Sequence, residues 1–334
     1  MAARGAVDLD GGRADRRGAP QRAGRRAGRA VTASGERLAN LAYGAGWGVV
    51  KALPGGVASR IFDTAGVLAA RRAGPGVLRL RANLARVVPD AGPAELDALV
   101  RDGMRSYARY WCEAFRLPVM DPAAIVTGTA GTGLEPALEA MRAGRGVVLA
   151  LPHSGNWDAA GVWVIEIMRR AGLHPGFSTV VERLRPAAVY ERFVGYRESL
   201  GFEVFASDDG AAAYRGLVAR LRAGGLVCLV ADRDLSAAGV DVTLLGERAR
   251  MPAGPARLAA MTGALLMPAH TSFDGRGWRI DVGDAIDVAG RAAVPAATQT
   301  LADAFTAGIR TSPQDWHMLQ PVFTTDAPDP VGVA

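Results

Sequence analysis

The sequence predicts an α/β protein with a central, mostly parallel or mixed sheet of about seven strands, flanked by helices and preceded by an N-terminal helical region. From about residue 145, short β-branched runs alternate with helical stretches. Before that point, the apolar residues recur with helical periodicity. Hydrophobic residues make up 49% of the 334-residue chain, which is enough for a sizeable core.

The first 35 residues are predicted to be a disordered, arginine-rich tail. Residues 1–30 hold eight arginines against three aspartates, so this segment carries +5 of the net charge of +6. The tail has few groups to bury and lacks the apolar core of a signal peptide. It is either a solvated extension without a specific role or an electrostatic tether to anionic lipid, in which each basic residue contributes about 1 kcal/mol.

The apolar stretch LANLAYGAGWGVV at 38–50 is too short to cross a membrane. Its 13 residues would rise about 20 Å as a helix, whereas the hydrocarbon core of a bilayer is about 30 Å thick. Tyr43 and Trp47 lie within it, and Pro54 follows it. We expect a helix that lies in the membrane interface or packs into the core.

The helical region is predicted to cover residues 36–144. Helical periodicity continues through 58–72 and 78–88, with a break at the AGPG segment 73–76. Pro93 is expected to begin a further helix, with Glu95 and Asp97 in its first turn and arginines later, as the helix dipole favours. No repeat or long linker divides the chain. We therefore expect one domain at 36–323, with an α/β core at 145–323 and a C-terminal tail at 324–334.

Seven short runs are predicted to be strands of the sheet. They are GVVLAL (146–151), STVVE (178–182), FEVFA (202–206), LVCLVA (226–231), VDVTLLG (240–246), LLMPAHTSF (265–273) and WRIDVGDAI (278–286). Helices are expected between several of them, including 187–201 and 210–225. This alternation is typical of a sheet covered by helices on its faces.

Ionisable residues follow three of these strands. His153 follows the first strand, Glu182 and Arg183 follow the second, and the triplet Asp232, Arg233 and Asp234 follows the LVCLVA run. In open α/β sheets, ligands bind at the carboxyl ends of the strands. The sequence therefore predicts that these groups form one site.

His153 and Asp158 are separated by five residues, which turns about 500° on a helix and would place them on different faces. The pair can meet if His153 lies on the loop and Asp158 lies in the first turn of the following helix. Gly155 is permissive for such a turn, and Ser154 or Asn156 can cap the helix. Asp158 would then accept a hydrogen bond from one imidazole nitrogen and leave the other free as a general base.

The pair taken alone leaves three readings open: a structural histidine, a general base, or a metal ligand. The chain has neither a G-x-S-x-G nucleophile motif nor an H-E-x-x-H motif. The other histidines, at 174, 270 and 317, have no paired spacing, so we expect no metal site. Cys112 and Cys228 cannot form a disulfide framework, and their small number fits a reducing compartment.

The segment LPHSGNWDAAG resembles the H-x4-D/E signature of the lysophospholipid acyltransferase superfamily, in the form used by lipid A late acyltransferases and phosphatidylinositol mannoside acyltransferases. Asp at position 158, where the lipid A enzymes usually carry Glu, favours the mannoside branch. The resemblance extends over about residues 38–323. Six further blocks resemble the mannoside branch: RLRANLARV (79–87), SYARYWCEAFRLP (106–118), VVERLRPAAVYERF (181–194), VADRDLS (230–236), RARMPAGPARLA (248–259) and SPQDWHMLQPVF (312–323).

The resemblance implies His153 as the catalytic base and Asp158 as its orienting partner. It also implies that Glu182, Arg197 and Asp232 form a polar network around the acyl-acceptor hydroxyl. The donor is expected to be acyl-CoA as a co-substrate, with no resident cofactor and no covalent enzyme intermediate. Backbone N–H groups around Gly155 and Asn156, or a guanidinium, would stabilise the oxyanion.

Further residues are assigned by their chemistry. Arg183 and Arg185 are candidates for the CoA phosphates, although each is also consistent with a solvated charge at a helix entry. Trp157 either lines an acyl channel or belongs to the core. His317 is expected to be structural.

The leading functional hypothesis is transfer of a long acyl chain to a mannose hydroxyl of a phosphatidylinositol mannoside, by a peripheral protein at the cytoplasmic face of the cell membrane. A close rival is an acyltransferase of the same superfamily that acts on another glycolipid or on a lysophospholipid. A non-enzymatic rival is a basic membrane- or nucleic-acid-binding protein, which does not explain the ionisable residues at the strand ends. We expect no nucleic acid and no obligate protein partner.

Overall fold

The computed structural model describes residues 46–183, 187–234 and 239–326. The arginine-rich tail, the first part of the apolar stretch at 38–50, Arg185 and the last residues of the C-terminal tail lie outside these ranges. The described helices are Gly55–Arg72 (α1), Pro75–Val87 (α2), Pro93–Arg116 (α3), Pro122–Thr127 (α4), Glu135–Arg142 (α5), Trp157–Arg170 (α6), Ala187–Ser199 (α7), Ala211–Arg222 (α8), Gly254–Thr262 (α9) and Val294–Thr311 (α10).

The described strands number nine. They are Thr129–Thr132 (β1), Val147–Leu151 (β2), Phe177–Val181 (β3), Phe202–Ala206 (β4), Leu226–Val230 (β5), Val240–Leu244 (β6), Glu247–Met251 (β7), Leu265–Asp274 (β8) and Gly277–Val282 (β9). Seven of them form the central sheet in the order β1-β9-β8-β2-β5-β3-β4. Every neighbouring pair is parallel except β8 and β9, which are antiparallel. The predicted fold class is confirmed.

Strand β2 lies at the centre of the sheet and is buried on both faces. All five of its residues are buried, as expected for a parallel strand with helices on each side. Val148 and Ala150 pack into a core with α2, α3 and α8 to α10. Val147, Leu149 and Leu151 pack into a second core with α5 and α6. The alternation of side chains along the strand therefore divides the core into two layers.

The run at 240–246 is not a strand of the central sheet, which corrects the prediction. It forms β6, which pairs with β7 in a separate antiparallel hairpin. The two residues between these strands, Leu245 and Gly246, both have positive φ (54° and 89°), the geometry of a tight hairpin turn. In β6, buried and exposed residues alternate, which is typical of a strand with one solvent-exposed face.

The seventh strand of the central sheet comes from the region predicted to be helical. β1 pairs in parallel with β9 at the edge of the sheet, so the proposed boundary at residue 144 does not separate helices from sheet. Its sequence, TAGT, is short and polar and carries no strand signal. Gly131 is required there, because a Cβ atom would lie 2.2 Å from the indole of Trp163.

Within the helical region, the predicted start of one helix is confirmed. Pro93 lies at the first position of α3, with Glu95 in its first turn. The polypeptide from 324 to 326 also belongs to the folded unit, because Asp326 forms ion pairs with Arg79 and Arg86 of α2. None of the helices within the described ranges is long and apolar enough to cross a membrane.

Candidate active site

Two adjacent parallel strands bring His153 and Asp232 together. Leu151 at the end of β2 is paired with Val230 at the end of β5, and Ala231 N–H extends the ladder by donating to the Leu151 carbonyl at 2.8 Å. His153 and Asp232 each lie two residues beyond these paired positions. The register therefore places the two side chains side by side at the carboxyl edge of the sheet, as predicted from the strand ends.

The imidazole of His153 is held by Asp232. The ring Nδ1 lies 2.6 Å from Asp232 Oδ1, and the backbone N–H of His153 donates to Oδ2 at 2.9 Å. Asp232 is fully buried, whereas the side chain of His153 is 36% exposed. The carboxylate therefore anchors one edge of a ring that is still accessible from outside.

Asp232 is ionised despite its burial. Burial alone would raise its pKa, but the neighbouring His153 and the hydrogen bonds from His153 and Trp316 outweigh that effect and lower the pKa below its usual value. A buried carboxylate needs several donors to keep its charge. The pair thus places a fixed negative charge against Nδ1 of the imidazole.

The predicted contact between His153 and Asp158 is wrong. Asp158 does lie in the first turn of α6, as expected, but Oδ1 accepts from Arg197 Nε at 2.8 Å and Oδ2 accepts from the Tyr110 hydroxyl at 3.1 Å. Its side chain is 1% exposed. Both carboxylate oxygens are therefore used by α3 and α7, while the His153 ring turns toward the end of β5.

Asp158, Arg197 and Tyr110 form a buried polar cluster. Burial opposes the charge of Arg197, but Asp158 outweighs burial and the pKa of Arg197 is raised. Burial, reinforced by Asp158, raises the pKa of Tyr110 well above its usual value. Arg197 therefore stays charged and Tyr110 neutral, and the cluster ties α3, α6 and α7 together.

The turn after His153 contains the predicted glycine turn and helix cap. Gly155 has a φ of +55°, and a Cβ atom there would lie 2.7 Å from the backbone of Thr271. Asn156 is the N-cap of α6, accepting from Ala159 N–H at 2.9 Å, and its amide donates to Glu113 at 2.7 Å. Glycine and asparagine at these positions therefore serve the geometry of the loop.

A segment near the C-terminus holds the same turn from the other side. The segment 313–317 meets it through an antiparallel bridge between Ser154 and Trp316. Gly155 N–H donates to the Asp315 carbonyl, and His317 N–H donates to the His153 carbonyl, both at 2.8 Å. Because the Gly155 N–H is occupied, it is not available as an oxyanion donor, and the other two proposed donors, the Asn156 N–H and a guanidinium, stay predictions.

A narrow apolar cavity lies beside the imidazole, between α6 and the central sheet. Its wall includes Trp157, whose ring meets that of His153 edge-on at a centroid distance of 5.6 Å. The Asp158–Arg197 pair also reaches this cavity. Apolar residues from β2, α6, β3, β4 and β5 complete much of the lining: Leu151, Val164, Phe177, Phe202 and Val230.

Among the interactions described, the other predicted substrate-binding residues form no side-chain hydrogen bond or ion pair with His153. Glu182 follows β3 at the same edge of the sheet and is exposed. Arg183 forms ion pairs with Asp208 and Asp209. Arg233 is half-buried. Asp234 accepts from Gly239 N–H at 2.9 Å, which ties it to the loop before β6.

His317 has the surroundings of a structural histidine. Burial lowers its pKa to about 3, and His153 adds to this effect. Its Nε2 lies 2.8 Å from the Ser106 hydroxyl, and Ser106 also donates to Asp315 at 2.6 Å. In a hydrolase triad the carboxylate bonds the histidine. Here the carboxylate bonds the serine, so the cluster does not have the arrangement of a serine nucleophile and its base.

Sequence reasoning missed two residues that bond the aspartates of this site, and it missed Glu113, which belongs to the surrounding framework. Trp316 donates from its indole to Asp232, Tyr110 donates to Asp158, and Glu113 accepts from Asn156 and from Trp278. Trp316 and Tyr110 stand within blocks that carried the family resemblance, which was the available signal. The described residues contain no group of three His, Cys, Asp or Glu side chains that could hold a metal ion.

A histidine–carboxylate pair at the carboxyl edge of a mostly parallel sheet fits an enzyme that activates a hydroxyl group for group transfer. The chain belongs to the bacterial lipid A biosynthesis acyltransferase family, whose sequence profile matches residues 33–325. It is similar to a phosphatidylinositol mannoside acyltransferase of Mycolicibacterium smegmatis, with 47% identity over 88% of this chain and 94% of that protein. Proteins of the same name from two Mycobacterium tuberculosis strains are 46% identical over 85% of this chain and 88% of their own length. The family resemblance is confirmed.

Proposed function

We propose that this acyltransferase moves an acyl chain from acyl-CoA to a mannose hydroxyl of a phosphatidylinositol mannoside, with His153 as the general base and Asp232 as its partner. The observation that carries the proposal is the 2.6 Å contact between His153 Nδ1 and the buried Asp232 carboxylate at the edge of an apolar cavity. The acceptor class is inferred from the names of the relatives at 46–47% identity.

Asp232 determines which nitrogen of the His153 ring can act as the base. A carboxylate accepts a hydrogen bond, so the proton of the neutral ring is assigned to Nδ1 and Nε2 is left unprotonated. An alcohol is a poor nucleophile until its proton is removed. Nε2 therefore takes the proton from the sugar hydroxyl as its oxygen attacks. The Asp232 charge stabilises the imidazolium that forms.

The transfer needs no covalent intermediate on the protein. The hydroxyl oxygen forms a bond to the carbonyl carbon of the thioester, and its proton passes to Nε2 of His153. The carbon–sulfur bond then breaks, and the thiolate of CoA takes the proton from the imidazolium. The products are the acylated glycolipid and free CoA, and His153 is neutral again.

The apolar cavity is suited to the acyl chain of the donor. Its lining includes Trp157, whose ring meets that of His153, and the tilted rings of Phe177 and Phe202, whose centroids lie 4.4 Å apart. Burying each methylene group contributes about 0.8 kcal/mol, so the part of the chain that enters the cavity would be held by this wall. The thioester would then lie near Trp157, next to the base.

Glu182 and Arg233 are the remaining candidates for contacts with the polar parts of the substrates. Both follow strands that end at the same edge as His153, and neither is fully buried. Arg183 is also proposed to meet the CoA phosphates, in exchange for its exposed partners Asp208 and Asp209. Asp158, Asn156 and Asp234 act by holding the local structure, since their carboxylate or amide groups bond to protein atoms.

We propose that the protein binds the cytoplasmic face of the cell membrane through the exposed face of α1. Val57, Ile61 and Leu68 are 43–52% exposed and recur at a spacing that places them on one side of the helix. Trp47, by contrast, packs on Phe115, and its indole N–H donates to the Phe115 carbonyl at 2.9 Å. Trp47 is therefore a packing residue, and α1 offers the apolar surface.

The direct test is an assay of the purified protein with radiolabelled acyl-CoA and a panel of acceptor lipids. Label should appear in phosphatidylinositol mannosides and depend on His153. Transfer to a different glycolipid or to a lysophospholipid would overturn the acceptor while keeping the chemistry. Removal of residues 1–35 separates this proposal from a basic binding protein, because an acyltransferase should keep turnover with a soluble acceptor.

A further inference from the structure

We propose that Trp316 is a positioning residue for the transfer: its indole N–H holds the Asp232 carboxylate in the orientation that bonds the His153 ring. The Trp316 indole bonds Asp232, and Trp316 is not one of the residues that line the apolar cavity, so its effect passes through Asp232. This inference rests on the proposed function, because it assigns a role within the same acyl transfer.

The hydrogen bonds of Asp232 divide cleanly between its two oxygens. Oδ2 accepts from the indole of Trp316 at 2.9 Å and from the backbone of His153 at 2.9 Å. Oδ1 faces Nδ1 of the His153 ring at 2.6 Å. Two donors on Oδ2 prevent the carboxylate from rotating, so Oδ1 stays directed at the ring.

The hydrogen bonds described for the Asp232 carboxylate all come from His153 and Trp316. The side chains of Asp232 and Trp316 are both completely buried. Without the indole, Oδ2 would keep only the backbone N–H of His153. A buried acceptor that loses a donor is destabilised and tends to rotate toward another partner. The partner that Asp232 would leave is the imidazole.

Trp316 is itself fixed to the catalytic turn. It bridges to Ser154, and its neighbours Asp315 and His317 bond the backbone of Gly155 and His153. Asp315 in turn accepts from Ser106 of α3 and from the Phe273 backbone at the end of β8. The indole and the base are therefore held by one framework, which is what accurate positioning requires.

Few charged groups surround the His153–Asp232 pair. His153 is the titratable group that lowers the pKa of Asp232. Burial lowers the pKa of His317 and keeps it neutral, and His153 lowers that pKa further. The tyrosine hydroxyl of Tyr110 faces Asp158 instead. A change at Trp316 therefore alters a hydrogen bond of the pair without moving a charge.

The test replaces Trp316 by phenylalanine, with Trp278→Phe as the matched control. Trp278 is 8% exposed and its indole donates to Glu113 at 2.7 Å, so the control loses the same kind of bond outside the His153–Asp232 pair. We expect Trp316→Phe to lower kcat about tenfold with KM nearly unchanged, which corresponds to about 1.4 kcal/mol. The control should lower the melting temperature similarly and change kcat less than threefold.

Proton NMR measures the hydrogen bond between His153 and Asp232 directly, and its signal would not change if Trp316 had a purely structural role. The Nδ1–H proton shared with Asp232 should resonate far downfield of the amides, and this signal should disappear in Asp232→Asn. It should shift in Trp316→Phe and stay in place in Trp278→Phe. An unshifted signal together with a kcat equal to that of the control would overturn the inference.

A second variant covers the case in which Trp316→Phe fails to fold. Replacing Trp316 by 3-benzothienylalanine keeps the size of the indole and removes its N–H. The same drop in kcat and the same NMR shift are expected, and wild-type values would reject the role of the N–H group. Full activity of a folded His153→Ala variant would instead reject the proposed function, so the two failures are distinct.

Discussion

The Nδ1 atom of His153 lies 2.6 Å from a carboxylate oxygen of Asp232, although the two residues are 79 positions apart in the chain. Asp158, only five residues from the histidine, bonds Arg197 and Tyr110 instead. The proposed chemistry depends on the distant carboxylate, and the near one contributes to the packing of helices. The two aspartates should therefore respond differently to the same substitution.

His153→Ala should remove most of the acyl transfer and leave the fold intact. The side chain is partly exposed and lies on a loop, so its loss removes little packing. A missing general base slows a reaction by roughly 10²–10⁴. Turnover of acyl-CoA by the variant, compared with wild-type protein at equal melting temperature, measures this effect. Near-normal turnover would remove His153 from the mechanism.

Asp232→Asn should slow the transfer strongly because the amide can donate to Nδ1. The ring would then carry its proton on Nε2, the atom that must be unprotonated to act as the base. In a serine protease, the same replacement of the orienting carboxylate lowers kcat by a factor on the order of 10⁴. We expect a loss of at least about 10² in kcat. The measurement is kcat for a variant shown to be folded by circular dichroism.

Asp158→Asn should act first on stability. It leaves the Arg197 guanidinium buried without its counter-charge, and breaking a buried ion pair in this way costs about 3–5 kcal/mol. Chemical denaturation measures the free energy of unfolding of this variant and of Asp232→Asn, and the comparison distinguishes the roles of the two aspartates. If Asp158→Asn instead kept full stability and lost only kcat, Asp158 would have a direct role in the reaction.

Ile61→Asn combined with Leu68→Asn should weaken binding to anionic liposomes at every salt concentration. Both side chains are about half exposed on α1, and burying the two together contributes roughly 1.5–3 kcal/mol, a term that salt does not screen. Liposome co-sedimentation measures the change. The matched control is Met261→Asn, an equally exposed apolar residue on α9, which should bind as the wild type does. Equal binding of all three proteins would exclude α1 as the contact surface.

The stability of the protein should fall as the pH is lowered from about 6.5. Burial lowers the pKa of His270 to about 4 and that of His317 to about 3. Below pH 6.5, the unfolded chain therefore binds protons that the folded chain does not. Each histidine then contributes a slope of up to about 1.4 kcal/mol per pH unit, with stability rising as the pH rises.

Chemical denaturation between pH 7 and pH 5 measures this slope. The window stays above pH 5 because Asp315, whose pKa is raised chiefly by burial, acts in the opposite direction at lower pH. His270→Asn should roughly halve the slope while lowering stability overall. A slope that is the same in the variant and the wild type would show that His270 does not titrate between the two states.

Local signals in the sequence determined the parts of the site that depend on neighbouring residues. The apolar run before His153 predicted a buried strand, and β2 is buried throughout. Gly155 and Asn156 predicted a turn followed by a capped helix, and α6 begins at Trp157. These features follow from backbone conformation and short-range hydrogen bonds, which a few adjacent residues are sufficient to specify.

The tertiary structure decided which groups meet. The pairing of His153 with Asp232 follows from the order and register of β2 and β5, and the indole of Trp316 enters from a segment 84 residues beyond Asp232. The separation of β6 from the central sheet was likewise settled by its pairing with β7 and by the hydrogen bonds between Thr243 and Gln299 of α10. Spacing along the chain favoured Asp158, but a carboxylate bonds the donors that the packed elements bring within about 3 Å of it, whatever their distance in sequence.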